Sequence, residues 1–150
     1  MAWMRGEFHE QFTTTASAEA ACAAFGDLDT IVANYGPLDN AEKLDAQALQ
    51  FTLEEQNHGF TTFQGRYTCR YVIDGSRLTW SSEGEGNIKA EGTATFTSTP
   101  SGASIDYRAS LELEMGVNAM VAKMITPIVA AAIQKEMKAY VERMIAAAEA

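Results

Sequence analysis

Hydrophobic and polar positions alternate over most of this chain. In the first strand, Phe8, Glu10, Phe12 and Thr14 share one face, and Glu7, His9, Gln11 and Thr13 share the other. Strict alternation is the mark of a strand with one buried face. Ser17 then caps an Ala-rich run with Glu19 in its first turn, which predicts a short helix ending at Gly26. Asp27 caps a second short helix to about Asn34, closed by Tyr35-Gly36-Pro37.

From about residue 41 to 115 the pattern is that of strands. Leu49, Phe51 and Leu53 alternate with polar residues, and Asn57-His58-Gly59 reads as a turn. Phe63, Gly65, Tyr67, Cys69, Tyr71 and Ile73 then line one face of a long strand predicted over 61–73. Asp74-Gly75 is a hairpin signal. Leu78, Trp80 and Ser82 face inward on the next strand, and Glu83–Asn87 turns it. Ile88, Ala90, Gly92, Ala94 and Phe96 follow, and Pro100-Ser101-Gly102 turns again. Ile105, Tyr107, Ala109, Leu111, Leu113 and Met115 make the last inner face. Strands joined by short turns, wet on one side and dry on the other, form an antiparallel meander covered by a single layer.

The covering layer is the C-terminal segment. Val121, Ile125, Ile128, Val129, Ala132, Ile133 and Tyr140 fall on one helical stripe, with Lys123, Gln134, Lys135, Lys138 and Glu142 opposite. A helix over 118–146 is roughly 40 Å long at about 1.5 Å per residue. Pro127 is expected to kink it, or to open a new helix capped by Thr126. The class is therefore α+β. A strongly curved antiparallel sheet of about seven strands wraps a long C-terminal helix, with two short helices after the first strand. The 150 residues are read as one domain.

Composition narrows the function. Twenty acidic against 11 basic residues give a net charge of −9. That excludes a phosphate-tracking face for nucleic acid and electrostatic docking on anionic lipid. The two cysteines, Cys22 and Cys69, have no metal-ligand spacing and read as small buried hydrophobes, which fits a reducing cytoplasm. The N-terminal residues lack the apolar core of a signal peptide, and the apolar stretch from Ala119 to Ile133 is too short to span a bilayer.

Three stretches carry a resemblance. Phe12–Ala20 running into Phe25-Gly26-Asp27 is the first, and Gly84-Glu85-Gly86 followed by Gly92-Thr93-Ala94 is the second. The third is the spacing of the Tyr107 strand, Gly116 and Tyr140–Met144. Along nearly its whole length the chain resembles the START-like, or SRPBCC, helix-grip superfamily of polyketide cyclase and pollen-allergen relatives. Within it, the chain looks most like the CoxG family, associated with carbon monoxide dehydrogenase. The resemblance implies a cavity between sheet and last helix that holds a lipid, isoprenoid, quinone, polyketide or aromatic molecule. It also implies an accessory role beside a redox enzyme or at a membrane.

The expected lining follows from the inner faces: Phe51, Phe63, Tyr67, Tyr71, Trp80, Phe96, Tyr107 and Leu111 from the sheet. Ile125, Val129, Ile133, Glu136 and Tyr140 come from the helix. Met115, Met120 and Met124 bracket the helix start and either gate the mouth or fill an irregular junction. Glu136 falls in the apolar stripe by helical-wheel angle, where a carboxylate needs a partner, water or a proton. It is a candidate anchor for a ligand head group, or the ion-pair partner of Arg143. No dinucleotide fingerprint, Walker A, HExxH or GxSxG is present. No metal or cofactor is expected. The reading is a binder or carrier of an apolar small molecule, monomeric or homodimeric. The enzymatic alternative is a polyketide cyclase or dehydratase with Glu136 as acid/base and Tyr107 as hydrogen-bond donor.

Overall fold

Ser17 and Asp27 decide where the helices begin, and the rest of the architecture follows from the alternation. The computed structural model describes residues 2–57 and 61–150. Strand β1 (Ala2–Thr14) leads into α1 (Ala18–Gly26) and α2 (Leu28–Asn34). The Ser17 hydroxyl accepts from the Ala20 amide at 3.1 Å. The Asp27 carboxylate accepts from the Thr30 amide at 3.1 Å and the Thr30 hydroxyl at 2.6 Å. These bonds satisfy helix amides that would otherwise lack partners, and they hold the Asp27 carboxyl below the usual range.

The chain continues through β2 (Leu38–Lys43), β3 (Ala48–Leu53), the short pair β4 (Gln56–Asn57) and β5 (Thr62–Phe63), then β6 (Arg66–Asp74) and β7 (Arg77–Glu83). Strands β8 (Ile88–Thr99) and β9 (Gly102–Met115) precede the long helix α3 (Ala119–Glu149). Seven strands form one antiparallel sheet in the order β1-β9-β8-β7-β6-β3-β2. Helices α1 and α2 thus carry the chain from one edge of the sheet to the other. Helix α3 packs along β1 and against α1 and α2, closing the concave face.

Close approaches inside the sheet depend on glycine. Trp80 lies over its cross-strand neighbour Gly92, where a Cβ would come within 2.2 Å of the indole. Gly102, at φ +155°, starts β9 beneath the Thr14 carbonyl, where a Cβ would sit 2.0 Å from that oxygen. The outer face carries exposed ion pairs such as Arg5–Glu112 at 2.8 Å, and Arg70 between Asp45 and Glu83 at 3.0 Å each. Exposed pairs of this kind contribute little to stability.

The two ends of the chain's main layers are tied together by Glu149. Its carboxylate accepts from the Thr15 amide at 2.8 Å and from the Thr14 and Thr15 hydroxyls at 2.9 and 3.1 Å. These bonds hold its carboxyl below the ordinary range. A depressed folded-state value stabilises above the unfolded pKa and is lost as pH falls through the folded one. The thermal midpoint of Glu149→Gln is therefore expected below that of the parent at neutral pH. The gap closes on acidification, and a pH series of melting curves reads it directly.

Four expectations change in the structure. The strand predicted over 61–73 is interrupted between β5 and β6 at Gln64-Gly65. The side chain of Ile88 fills the space a Cβ on Gly65 would need, at 2.5 Å. Strand β2 begins at Leu38, earlier than expected, because its two half-buried residues, Leu38 and Ala41, stand three apart across a register shift that breaks the alternation. Helix α3 runs through Pro127 unbroken, and Thr126 does not cap a new helix: its hydroxyl donates to the Ala122 carbonyl at 2.6 Å. Ile128 is not on the buried stripe but 70% exposed, and Ala122, Ile133, Val141 and Met144 are the helix residues most completely covered. Apart from Asn57, the turn expected at 57–59, with His58, lies outside the described residues.

Candidate functional site

Between the concave sheet and α3 lies a cavity of about 470 Å³, within the range of small-molecule sites. The inward faces of β6 to β9 build the floor: Tyr67, Cys69 and Tyr71 from β6, Leu78 and Trp80 from β7, Ile88 and Ala90 from β8, and Tyr107, Ala109, Leu111, Leu113 and Met115 from β9. Val129, Ile133, Met137 and Tyr140 of α3 form the roof. The lining residues that are exposed are Pro37, Glu54, Gln56, Ala132 and Glu136, and they mark the mouth. It opens between α3 and the segment that follows β3.

All five tyrosines of the chain, Tyr35, Tyr67, Tyr71, Tyr107 and Tyr140, line this space. Burial pushes each phenol above its ordinary value, so all five are neutral hydrogen-bond donors in the physiological range. The hydroxyls of Tyr35 and Tyr67 bond to each other. That of Tyr71 lies beside the Cys69 thiol. The hydroxyls of Tyr107 and Tyr140 make no hydrogen bond with the described residues. No buried side-chain oxygen among those residues is left unpaired, so both hydroxyls face open cavity. Burial pushes the Cys69 thiol up to about 12, and it is no nucleophile at neutral pH. Both cysteines are free and buried, as small core residues.

The structure places Phe63, Tyr67, Tyr71, Trp80, Tyr107, Leu111 and Met115 of the expected set on the cavity wall, with Val129, Ile133, Glu136 and Tyr140. Five others stand elsewhere. Phe51 lies behind the wall, stacked between Tyr35 and Tyr67 at 4.5 and 5.0 Å. Phe96 is fully buried edge-on against Phe25. Ile125 packs on the core without reaching the cavity. Met120 and Met124 are 76% and 72% exposed and do not line the cavity. Each stands two residues, about 200° of helical turn, from buried Ala122.

Glu136 is on the exposed rim, not in the middle of a dry stripe; Met137 holds that place. The pairing with Arg143 does not form. Arg143 instead donates to the carbonyls of Asn34 and Tyr35 at 2.8 and 3.3 Å, fixing the end of α2 to α3. Glu10, of inward parity, pairs with Lys138 at 3.6 Å. Tyr35 is one wall residue that pattern reading passes over. It follows a short helix and belongs to no periodic segment, and its only signal is an aromatic beside a predicted turn. No group of three or more potential metal-ligating side chains occurs among the described residues. Among the described residues, no helix is long and apolar enough to cross a membrane.

No protein-family profile matches the chain, and no curated protein matches it. Among solved structures it is similar to the Zhui aromatase/cyclase from Streptomyces sp. R1128, with a TM-score of 0.70 and 10% identity over 97% of this chain and 94% of that one. A START superfamily protein from Mycobacterium smegmatis gives 0.65 and 13%, covering 97% of each chain. A point mutant of norcoclaurine synthase from Thalictrum flavum, in complex with a transition-state analogue, gives 0.63 and 11%, covering 100% of this chain and 99% of that one. At such identities the likeness is one of fold. The chain has the helix-grip architecture seen in START superfamily proteins, with two short helices after the first strand and a long C-terminal helix against a seven-stranded antiparallel sheet.

Proposed function

We propose that this protein binds a lipophilic small molecule in the space between its sheet and α3, and carries it without changing it. The carrying observation is the cavity itself. A void of about 470 Å³ walled by aromatic and aliphatic side chains departs from normal close packing, and an apolar guest restores the lost contacts. Native mass spectrometry of gently purified protein, followed by organic extraction, is the test. The expected result is an adduct that leaves with the solvent and rebinds with micromolar or better affinity. Protein that carries no adduct and binds no lipophile in a fluorescent-probe titration overturns the reading.

A second reading, a cyclase- or dehydratase-type enzyme, is favoured by the unpaired Tyr107 hydroxyl, which could donate to a substrate carbonyl. The solvent-exposed Glu136 supplies no enclosed acid for it. The same extraction separates the two readings: a carrier returns its ligand with unchanged mass, and an enzyme returns a converted product. The accessory role implied by the CoxG resemblance draws on something else, the exposed side chains of Met120, Met124 and Ile128 at four-residue spacing on α3. Retention of a redox enzyme or of vesicles by the intact protein, lost when these three are changed to Ser, is its test.

A further inference from the structure

The cavity also states which head groups it can accept. No lysine, arginine or histidine is among the described residues that line it. Arg143, whose charge reaches the Tyr140 phenol, does not line the cavity and is committed to two backbone carbonyls of the α2 end. Lys138 is turned to Glu10 on the other side of α3. At the mouth stand two carboxylates, Glu54 and Glu136, neither with a hydrogen bond or ion pair from its side chain to the described residues. An anionic head group that entered would leave water without a cation on the cavity wall to pair with, and would pass two like charges on the way. The interior polar groups have the opposite need. Tyr107 is only 5% exposed, and its hydroxyl and that of Tyr140 face the cavity with no acceptor. A donor left unpaired inside a filled cavity is costly.

We infer that the ligand carries no anionic group and offers a carbonyl or comparable acceptor oxygen to Tyr107 and Tyr140. The class is an uncharged, oxygen-bearing lipophile, and fatty acids, sulfates and phosphate esters are rejected. This rests on the binding role proposed above and specifies its chemistry. Glu54 and Glu136 set the charge rule at the mouth, and the two tyrosines set the polarity rule at depth.

Two matched probe pairs test it on the full chain. N-Phenyl-1-naphthylamine and 8-anilinonaphthalene-1-sulfonate share a skeleton and differ by the sulfonate. The neutral probe is expected to bind at least about tenfold tighter, a difference near 1.4 kcal/mol. In the Glu54→Gln/Glu136→Gln double variant that gap narrows several-fold, since both positions are exposed and the fold does not rest on them. Fluorenone and fluorene differ by one carbonyl oxygen. Fluorenone is expected to displace the neutral probe at several-fold lower concentration, and Tyr107→Phe or Tyr140→Phe removes that preference. Using either tyrosine guards against one variant failing to fold, which its melting curve reveals. Equal affinity for the neutral and sulfonated probes overturns the charge rule and leaves the cavity reading standing. Equal displacement by fluorenone and fluorene overturns the acceptor rule. Failure of all four molecules to bind overturns the binding role itself.

Discussion

Replacing Ala109 with Trp is expected to abolish lipophile binding and leave the fold intact. Ala109 stands on β9 between Tyr107 and Leu111 on the inner face, and its side chain lines the cavity. Its cross-strand partner is Gly92, over which Trp80 already lies. An indole at this position has only the void to enter. If it displaces roughly 120 Å² of ligand contact, about 3 kcal/mol is lost at about 25 cal/mol per Å², close to 100-fold in affinity. The same ring fills part of the void and restores packing, so the thermal midpoint is expected to hold or rise. Ala90→Trp, on the neighbouring strand and also on the wall, serves as an independent plug. A folded Ala109→Trp protein that binds with parental affinity would place the ligand elsewhere.

The second large effect concerns stability. Phe51→Ala is expected to destabilise the protein by about 3–5 kcal/mol, a large fraction of the roughly 5–15 kcal/mol that holds a typical domain. Phe51 is fully buried, and its ring is the middle of a three-ring stack with Tyr35 and Tyr67. The stack joins the end of α2 to β3 and β6, and the paired hydroxyls of Tyr35 and Tyr67 close it. Removing the central ring takes away apolar burial and leaves two tyrosines facing a gap that neither can fill without breaking their hydrogen bond. Chemical denaturation measures the loss. Phe51→Leu, which keeps most of the volume, is expected to recover more than half of it. A loss below about 1 kcal/mol for Phe51→Ala, less than a typical core truncation, would show that the stack is not a structural tie.

Much of this architecture is legible in the sequence, for a physical reason. Strands β8 and β9 have one dry and one wet side, so burial imposes period two on Ile88 to Phe96 and on Ile105 to Met115. The caps Ser17 and Asp27 are legible because side-chain acceptors at a helix start are chemically specific. Strand β2 is not, because a register shift separates its two half-buried residues, Leu38 and Ala41, and breaks period two. The rotation of α3 is misread by the same logic. Met120, Met124 and Ile128 are apolar and exposed, and apolarity does not force burial. The alanines at 130–132 carry almost no angular information, so the wheel turns toward the large residues and sets Glu136 where Met137 belongs. The lining from β6 to β9 is readable from parity alone. The mouth residues Glu54 and Gln56 are not, since they lie at strand ends, where sidedness lapses.

The indole resting on Gly92 has an optical consequence. The chain holds two tryptophans in contrasting settings. Trp80 is in the cavity wall, 5.1 Å from the Tyr107 ring. Trp3 is 38% exposed on the outer face, with the Lys89 ammonium 4.4 Å over its ring. Emission from the first responds to whatever occupies the cavity, and emission from the second follows solvent. A Trp3→Phe protein is thus a single-tryptophan sensor of its own occupancy. It is excited without a label and filled or emptied in real time, and the colour of its light distinguishes a dry guest from water.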